Sequence, residues 1–494
     1  MAPMMLAIDG GGVRGIIALE LLHKLEVALN VPYRMWEFFD LVVGTSAGGL
    51  IALDLCVSGG TVQTSMHRFE EFAHRVFRKQ PNRCCSICSG VYETISRLTN
   101  DSKYDSTELE GVVKEVFGTR NTLCDGGIQA LSRTKLGIMA TTVGTSQLRI
   151  FTSYNGIKRP LNHENYKILR HEDSELEPKL WEVARCTTAA PGYFTPKSLP
   201  GFGGLQDGGM RANNPTEAGL WELAMIWPEN PQPNLVLSVG TGFAKAPTHE
   251  LLQRRGFWLD GFMPRILGAF LASPCLHGQN SWLALLNRLD NDSREAFVRL
   301  NIEFESEEPA LDDTKQLPLL HDLARNSKID YIPLRNKLWA LSFFFEITTV
   351  PKFGSGSYTC HGVVRSRFDD VRPVLTAICR EYKNPSVAVD GCPAIELSTE
   401  QCCAQCGSLR LPVQFDVKRL EDTMDIVLRF EEGIRHSICG LPTSTRRVVD
   451  LQSAWFGDHT LTWSLSADEC CVKTRKRRNT ADDRGAAKRS KTMS

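Results

Sequence analysis

The 494-residue sequence lacks both a long apolar run and an excess of charge of either sign. Its most lipid-like stretch, residues 41–53, is bounded by Asp40 and Asp54 and is shorter than the roughly 20 apolar residues that a helix needs to cross a bilayer. The 57 basic residues balance 57 acidic ones, so net charge favours no particular class of partner. A composition with 42% hydrophobic and 23% charged residues therefore predicts a soluble globular protein.

The sequence begins without the basic residues and the uninterrupted apolar stretch of a secretory signal, since Asp9 interrupts its first apolar run. Its 16 cysteines are therefore expected to be reduced thiols in the cytoplasm or the nucleus. Two pairs have C-x-x-C spacing, Cys85/Cys88 and Cys403/Cys406. A structural zinc site needs four ligands brought together, and the two pairs lie far apart in the chain, so we interpret them as independent thiols.

Up to about residue 245, apolar runs typical of buried strands alternate with amphipathic helical patterns. Strands are predicted at Met4–Ile8, Phe39–Val43 and Leu235–Val239, and helices at Ile16–Leu29 and Thr216–Ile226. Strands that alternate with helices predict an α/β fold, in which helices cover both faces of a mainly parallel sheet.

Beyond residue 245 the pattern changes twice. Residues 258–286 and 317–341 have helical periodicity, whereas the later sequence contains short strand-like runs separated by turns. These changes predict a first domain at 3–245 with a helical extension to about 335, a smaller β-rich region of unknown role at 336–465, and a basic, disordered tail at 466–494.

The segment Gly44-Thr45-Ser46-Ala47-Gly48 follows the second predicted strand and precedes a helical pattern. It has the G-x-S-x-G spacing of a nucleophile elbow, in which glycines permit a cramped turn that exposes a serine hydroxyl at the end of a strand. The helix that follows would direct its positive N-terminal end toward developing negative charge. The alternative is a glycine-rich strand–helix turn with an incidental serine.

The segment Asp9-Gly10-Gly11-Gly12-Val13-Arg14-Gly15 joins the first predicted strand to the first helix. Consecutive glycines leave backbone N–H groups unobstructed, and such groups can stabilise either an oxyanion or a pyrophosphate. A dinucleotide site would also need an acidic residue at the end of the second strand, where this sequence has Gly44-Thr45-Ser46. The loop therefore favours an oxyanion hole, and Arg14 adds a positive charge that could hold the loop or a phosphate head group.

A serine nucleophile needs a base, and Asp207-Gly208-Gly209 supplies a carboxylate beside two small residues. An aspartate that acts alone needs a pKa raised by desolvation, and the glycines would let the serine and the backbone approach it closely. His249 and His277 follow in the chain, so a Ser–Asp–His order is also available. Asp-Gly-Gly by itself is also a common turn sequence.

Together these three motifs resemble those of the patatin-like phospholipase family, in which D-G-G-G-x-[RK]-G, G-x-S-x-G and D-G-[GA] occur in this order. The sequence matches all three motifs without a departure, and the resemblance covers residues 3–245, with a weaker continuation to about 335. Segments 189–194, 213–215 and 238–242 are also similar to those of the family. The resemblance implies a three-layer αβα fold of the FabD/lysophospholipase-like type.

The resemblance also implies a lipid acyl hydrolase that cleaves fatty-acyl esters of glycerophospholipids at a membrane or micelle, without a transmembrane segment. In this interpretation Ser46 is the nucleophile, Asp207 accepts its proton, and neither a metal nor a cofactor is needed. The remaining residues implied for the oxyanion hole, the elbow and the base motif are Gly10, Gly11, Gly12, Arg14 and Gly15; Gly44, Thr45, Ala47 and Gly48; and Gly208 and Gly209. The competing hypothesis is a catalytically weak lipid-binding or signalling protein with the same fold.

Two basic clusters, residues 473–478 and 488–491, lie near the end of the sequence. Their spacing within the 473–491 tail resembles a bipartite nuclear localisation signal for an import receptor. The same charge would attract an anionic membrane by about 1 kcal/mol per basic residue. A solvated, disordered tail is the third interpretation.

Two absences narrow the class of partner further. No aromatic residue follows Trp463, so we expect no specific binding of nucleic acid by the tail. No Gly-Lys dipeptide occurs, which excludes the Walker A loop of a nucleotide-hydrolysing module. We expect a cytoplasmic protein, with the nucleus as the alternative location.

Overall fold

The computed structural model describes residues 2–78, 102–124, 134–154, 165–171, 176–244, 278–305, 307–389 and 392–452. The chain divides into two compact units. The N-terminal unit contains Pro3–Val27 and Tyr33–Asp330, and the C-terminal unit contains Met1–Ala2, Ala28–Pro32 and Tyr331–Ser494. In the described ranges, no helix is both long and apolar enough to cross a membrane.

The N-terminal unit is built on a nine-stranded mixed sheet. The strands of this unit are β1 (Met4–Ile8), β2 (Leu41–Thr45), β3 (Lys135–Thr142), β4 (Leu148–Thr152), β5 (Tyr166–Leu169), β6 (Lys197–Leu199), β7 (Gly203–Asp207), β8 (Leu235–Val239), β9 (Phe243–Ala244), β10 (Phe297–Leu300) and β11 (Glu303–Phe304). The main order is β10-β8-β1-β2-β3-β4-β5, and β7 pairs with β3 and β6. Strands β10, β8, β1, β2 and β3 run parallel to one another, whereas β4 and β7 run antiparallel to β3. The small β9–β11 pair lies outside this sheet.

Helices cover both faces of the sheet. They are α1 (Gly15–Leu29), α2 (Ala47–Ser58), α3 (Val62–Val76), α4 (Ser106–Phe117), α5 (Leu180–Thr187), α6 (Gly209–Ala212), α7 (Thr216–Ile226), α8 (Gly278–Leu286), α9 (Asn291–Arg294) and α10 (Leu317–Arg325). Gly219 of α7 lies against Met5 and Val43, whereas Gly49 of α2 lies against Ile138, whose side chain points to the opposite face. This arrangement confirms the predicted α/β architecture.

The central strands form the core because they are mainly apolar. Every residue of β1, β2 and β8 is buried, and Thr45 and Ser238 are the polar residues in these three strands. A parallel strand covered on both faces is mostly apolar, because both sets of side chains are removed from water. Each fully buried Leu, Ile or Met side chain contributes about 1.5–3 kcal/mol through the hydrophobic effect. These strands therefore form a rigid base whose carboxyl ends can position a site.

The extension to about residue 335 is not purely helical. It contributes β10, which adds an edge strand to the main sheet beside β8. The helix predicted over 317–341 is interrupted, because Asn326 ends α10 and Pro333 opens a separate helix, α11 (Ile332–Leu341). Of the helix predicted over 258–286, only α8 lies within the described residues.

The C-terminal unit is rich in antiparallel strands, as predicted. Its strands are β12 (Phe343–Ile347), β13 (Lys352–Gly354), β14 (Ser357–Ser366), β15 (Ser386–Val389), β16 (Ile395–Glu396), β17 (Leu411–Val417), β18 (Thr423–Met424), β19 (Ile426–Glu431), β20 (Ile434–Ser437) and β21 (Thr443–Ser444). They form two four-stranded sheets and the β18–β21 pair. The unit also contains α11 and two helices that were not predicted, α12 (Arg372–Glu381) and α13 (Thr445–Gln452). Its sequence alternation is visible in β17, where buried and exposed residues alternate.

The cysteine pairs remain without an assigned role. Cys403 is buried and Cys406 is partly exposed. No cluster of three or more His, Cys, Asp or Glu side chains in the described ranges is arranged to hold a metal ion. Cys85 and Cys88 lie outside those ranges.

Candidate active site

Ser46 lies on a strained turn between the end of β2 and the start of α2. Its backbone has φ 54° and ψ −123°, a conformation that non-glycine residues rarely adopt. A Cβ atom at Gly44 would lie 2.3 Å from the carbonyl oxygen of Gly48, and a Cβ at Gly48 would lie 2.2 Å from that of Ile8. Both flanking glycines are therefore required for the turn to close, as expected of a nucleophile elbow.

The Ser46 side chain and backbone are both held by hydrogen bonds. Its hydroxyl donates to Oδ2 of Asp207 over 2.6 Å. Its backbone N–H donates to the hydroxyl of Thr187 over 2.9 Å, and Thr187 in turn donates to the carbonyl of Met139 over 2.7 Å. Ser46 is partly exposed, so the serine oxygen is both oriented and accessible.

Asp207 ends β7 and is placed by the pairing of that strand with β3, in which it lies opposite Ala140. The N–H of Gly209 donates to its Oδ1 over 2.7 Å, which fixes the carboxylate while Oδ2 faces Ser46. Burial raises the pKa of Asp207 to about 6, although the hydrogen bonds from Ser46 and Gly209 oppose that rise. A carboxylate with this pKa is largely ionised at neutral pH and is more basic than an exposed aspartate.

The glycine loop, residues Asp9–Gly15, lies against the serine turn. A Cβ atom at Gly10 would lie 3.1 Å from the Cβ of Ser46. The loop folds on itself: the N–H of Arg14 donates to the carbonyl of Gly11, and that of Gly15 to the carbonyl of Gly12. Gly10 is also engaged, because its N–H donates to the carbonyl of Asn213 over 3.0 Å.

Three backbone donors of the glycine loop and of the first residue of α2 have no partner among the described residues: the N–H groups of Gly11, Gly12 and Ala47. The other members of the predicted oxyanion set do not offer theirs, since Gly10, Arg14 and Gly15 use their N–H groups within the fold. The donor set available to a ligand is therefore narrower than the sequence motif.

Arg14 braces the loop. Its guanidinium forms an ion pair with Glu308, and its Nε donates to the carbonyl of Gly11 over 3.4 Å. The side chain is buried and its charge is neutralised by Glu308. Of the two roles considered for Arg14, these contacts correspond to holding the loop.

The two remaining motif positions have structural roles. Thr45 donates its hydroxyl to the carbonyl of Ala212 over 2.7 Å, which ties β2 to α6. A Cβ atom at Gly208 would lie 2.7 Å from the carbonyl of Met139, so only glycine fits beside β3. The alternative histidine bases, His249 and His277, lie outside the described residues.

Several residues that shape the site were not predicted with a role. Asn213 and Thr241 both hold Gly10, through the Asn213 carbonyl and through a 2.9 Å bond from the Thr241 hydroxyl. Both belong to segments that resembled the family, so their proximity to the loop could have been suspected. Thr187 and Arg299 carried no such signal, because each acts across a large distance in sequence.

The part of the chain that carries this site is similar in sequence to known proteins. The patatin-like phospholipase family model matches residues 6–220. Calcium-independent phospholipase A2-gamma of Rattus norvegicus is 29% identical over 245 residues, which cover 48% of this chain but only 28% of that relative. The cGAMP-activated phospholipase of Vibrio cholerae is 29% identical over 367 residues, which cover 69% of this chain and 94% of the relative. The crystal structure of VipD from Legionella pneumophila covers 66% of both chains at 14% identity, with a TM-score of 0.31 that supports no argument about the fold.

The match spans the strands and turns that build the site. It includes the glycine loop, the serine turn and Asp207, and it ends before residues 331–494 of the C-terminal unit. The chain spans less than a third of the length of the first curated relatives that it matches, so the relationship concerns this domain. Residues 6–220 of this chain form a domain that matches the patatin-like phospholipase family model.

Proposed function

We propose that the chain is a serine-dependent lipid acyl hydrolase of the phospholipase A type, acting on fatty-acyl esters of glycerophospholipids at a membrane or micelle surface. The observation that carries this proposal is the 2.6 Å hydrogen bond from the Ser46 hydroxyl to Asp207. It joins a serine on a strained turn to a buried carboxylate whose pKa is raised to about 6. This pairing is the one that nucleophilic catalysis requires.

In the first half of the proposed reaction, Ser46 Oγ attacks the ester carbonyl while its proton passes to Oδ2 of Asp207. The carbonyl oxygen becomes an oxyanion, which the N–H groups of Gly11, Gly12 and Ala47 stabilise. Backbone donors held in place before the reaction lower the barrier, and each contributes about 10²–10³ in rate. Protonated Asp207 then gives its proton to the departing lysophospholipid oxygen, and a fatty-acyl serine remains.

In the second half, Asp207 accepts a proton from a water molecule, which attacks the acyl carbonyl. The same donors hold the second oxyanion, and its collapse breaks the bond to Ser46 Oγ and releases a free fatty acid. The proton returns to Ser46 from Asp207. A pKa of about 6 suits both directions of transfer, since the group is ionised before each attack and acidic enough to give the proton back.

The test is fatty-acid release from mixed phospholipid vesicles by the wild type, Ser46→Ala and Asp207→Asn. We expect release by the wild type and a loss of at least about 10³-fold in both variants. Release that survives Asp207→Asn would point to a histidine base, with His249 and His277 examined next. A folded wild type that releases no fatty acid from several lipid classes would instead favour the weak lipid-binding or signalling protein.

We infer a second candidate function, activation of the hydrolase by a nucleotide ligand, from the extent of one match. The similarity to the cGAMP-activated phospholipase covers 94% of that relative and continues beyond the family domain of this chain. The test adds cGAMP to the wild type in the vesicle assay. A dose-dependent rise in release would support this second function, and unchanged release up to saturating nucleotide would contradict it.

We propose a cytoplasmic location, with the 473–491 tail directing the chain to the nucleus or to an anionic membrane. The two basic clusters of the tail support this proposal. Deletion of residues 472–494 should change the distribution of a tagged chain between cytoplasm, nucleus and membrane. An unchanged distribution would leave the solvated tail as the interpretation.

A further inference from the structure

The first residue of the glycine loop is held by an ion pair from outside the family match. The guanidinium of Arg299, in β10, donates from Nη1 to Oδ1 of Asp9 over 3.0 Å and from Nη2 to Oδ2 over 2.5 Å. This two-pronged geometry fixes both the position and the orientation of the carboxylate. Asp9 and Arg299 are 2% and 8% exposed, so water neither screens nor replaces the pair.

The surroundings of Arg299 leave it little freedom. Its Nη1 also donates to the hydroxyl of Ser238 over 2.6 Å, and its Nε donates to Gln279 over 3.4 Å. A Cβ atom at Gly278 would lie 2.1 Å from Oδ2 of Asp9, so α8 begins directly against the carboxylate. Burial raises the pKa of Asp9, and the charge and hydrogen bonds of Arg299 oppose that rise.

The other end of the loop is held from the same part of the chain. The carbonyl of Leu311 accepts the N–H of Val13 over 2.8 Å and occupies the position that a Cβ of Gly12 would need. Glu308 forms the ion pair with Arg14 and accepts the N–H of Ala244 over 3.2 Å. Residues 278–311 thus hold both ends of the loop, although they lie beyond residue 220.

The residues between these two anchors are Gly10, Gly11 and Gly12. Glycine has the greatest backbone freedom of any residue, so a glycine triplet keeps one geometry only if its surroundings impose it. Oxyanion donors are effective only when they are already in place, and a displacement of 1 Å can cost about 10² in rate. The contacts at the two ends of the loop are therefore placed to fix the direction in which the Gly11 and Gly12 N–H groups point.

We propose that Arg299 is a positioning residue that holds the glycine loop in the geometry needed to bind the oxyanion. The proposal rests on the hydrolase function proposed above and adds to it a residue from a strand outside the family match. Arg299 does not touch the substrate and acts through Asp9. The rival explanation is that the ion pair only stabilises the fold, since removal of one partner of a buried pair leaves an unpaired charge.

The experiment separates these two explanations by comparing four variants with the wild type in the fatty-acid release assay described above. Arg299→Gln removes the positive charge. Arg299→Lys keeps the charge but cannot donate to both carboxylate oxygens of Asp9 as the guanidinium does. The double variant Asp9→Asn/Arg299→Gln removes both charges together. The control is Arg288→Gln, which removes an exposed pair with Glu217 in the same unit. Each variant is measured for kcat, KM, melting temperature and inhibition by a fatty-acyl trifluoromethyl ketone, whose serine adduct carries an oxyanion.

We expect Arg299→Gln to lower kcat by about 10²-fold with KM nearly unchanged, and Arg299→Lys to fall between it and the wild type. The inhibition constant of the ketone should rise by the same factor as kcat falls, because both depend on the oxyanion donors. The double variant should melt near the wild type, since it leaves no unpaired charge, and should remain slow. Arg288→Gln should equal the wild type in every measurement.

Three outcomes would overturn the proposal and leave the hydrolase function in place. A double variant that recovers both stability and kcat would show that the pair serves the fold alone, and so would a slow Arg299→Gln whose ketone inhibition is unchanged. Because the double variant relieves the unpaired charge, unfolding of Arg299→Gln by itself does not prevent the comparison. A wild type without hydrolase activity would remove the proposed function and this inference together, whereas an active wild type with equally active Arg299 variants would remove the inference alone.

Discussion

The two turns that meet at the site are held in different ways. The serine turn is fixed by its own neighbours: Gly44 and Gly48 let it close against β1, and its conformation follows from the strand and the helix that it joins. The glycine loop is fixed by contacts from remote parts of the chain, such as Asn213 and Arg299. The first turn is a local structure, and the second depends on long-range contacts.

This difference separates what a motif encodes from what the whole fold must supply. A strained turn between a strand and a helix is specified by a few adjacent residues, so its sequence pattern carries most of the information. A row of glycines specifies only that the backbone can bend. The direction of its N–H groups depends on polar and charged residues that lie far from the motif in the sequence, such as Asn213 and Arg299.

The largest effect is expected for Gly48→Ala, which tests the local specification of the serine turn and should abolish activity. The added Cβ would lie 2.2 Å from the carbonyl oxygen of Ile8, and neither backbone segment can move without displacing β1. The matched control is Gly111→Ala in α4, where a Cβ would meet nothing within 4 Å. The control should gain about 0.5–1 kcal/mol of unfolding free energy and keep full activity. An active, stable Gly48→Ala protein would contradict this account of the serine turn.

Gly12→Ala tests the other turn, and we expect a loss of about 10²–10³ in kcat. Gly12 has φ 56°, and its Cβ would lie 2.1 Å from the carbonyl oxygen of Leu311, so the substitution must move a proposed oxyanion donor. Gly144→Ala is the control, because that residue also has a positive φ, 85°, but meets nothing within 4 Å. The control should lose about 1 kcal/mol of stability without a change in kcat. Equal kcat values for the two variants would argue against a role of Gly12 in the site.

The same contrast decides how much could be predicted from the sequence. The bounds of β8 and α7 were predicted without error, because β8 is a short apolar run and α7 is a mainly apolar segment that begins after Asn213-Asn214-Pro215. Strand β10 was missed: it is only four residues long, lies at a sheet edge, and has three half-buried residues, so its apolar signal is weak. The sequence of residues 180–190 also predicts a helix that ends at Pro191-Gly192, whereas α5 ends earlier, at Thr187.

For the candidate site, the sequence indicated which residues come together, but it did not indicate which contacts fix their positions. The approach of Ser46 to Asp207 followed from the order of the motifs and the family resemblance, since nothing local joins residues so far apart in the chain. Their catalytic roles stay predictions. The ion pair between Arg299 and Asp9 could not be predicted from the sequence. Arg299 lies in a segment without a clear hydrophobic pattern, and only the pairing of β10 in the sheet brings it to Asp9.

The pH dependence of hydrolysis tests the role of Asp207 as the base. Asp207 must be ionised to accept a proton, and its pKa is raised to about 6, so activity should rise with pH through that value and level off above it. From pH 7 to pH 5 we expect a loss of about tenfold. The measurement is a kcat/KM profile from pH 4.5 to 8.5, which reports the pKa of the unliganded enzyme, on a neutral ester whose own ionisation does not contribute. A midpoint near 4, as for an exposed aspartate, would contradict the role of burial at this residue.

The smallest expected effect is that of Thr187→Val, which tests the long-range hydrogen bond to the backbone N–H of Ser46 in the serine turn. The threonine hydroxyl accepts the Ser46 N–H and donates to the Met139 carbonyl, so valine removes a hydrogen-bond partner from both backbone groups. We expect a loss of about 1–3 kcal/mol of unfolding free energy and a several-fold fall in kcat. Thr187→Ser should stay close to the wild type, because it keeps the hydroxyl.

Thr188→Val is the matched control for this last prediction. Thr188 is also buried, but its hydroxyl bonds to the carbonyl of Ala184 within its own helix and does not reach the serine turn. It should therefore affect stability less than Thr187→Val and leave kcat unchanged. If Thr187→Val lowered kcat as strongly as Gly12→Ala, the serine turn would depend on distant contacts as much as the glycine loop does. The distinction between a locally specified turn and a remotely held loop would then be wrong.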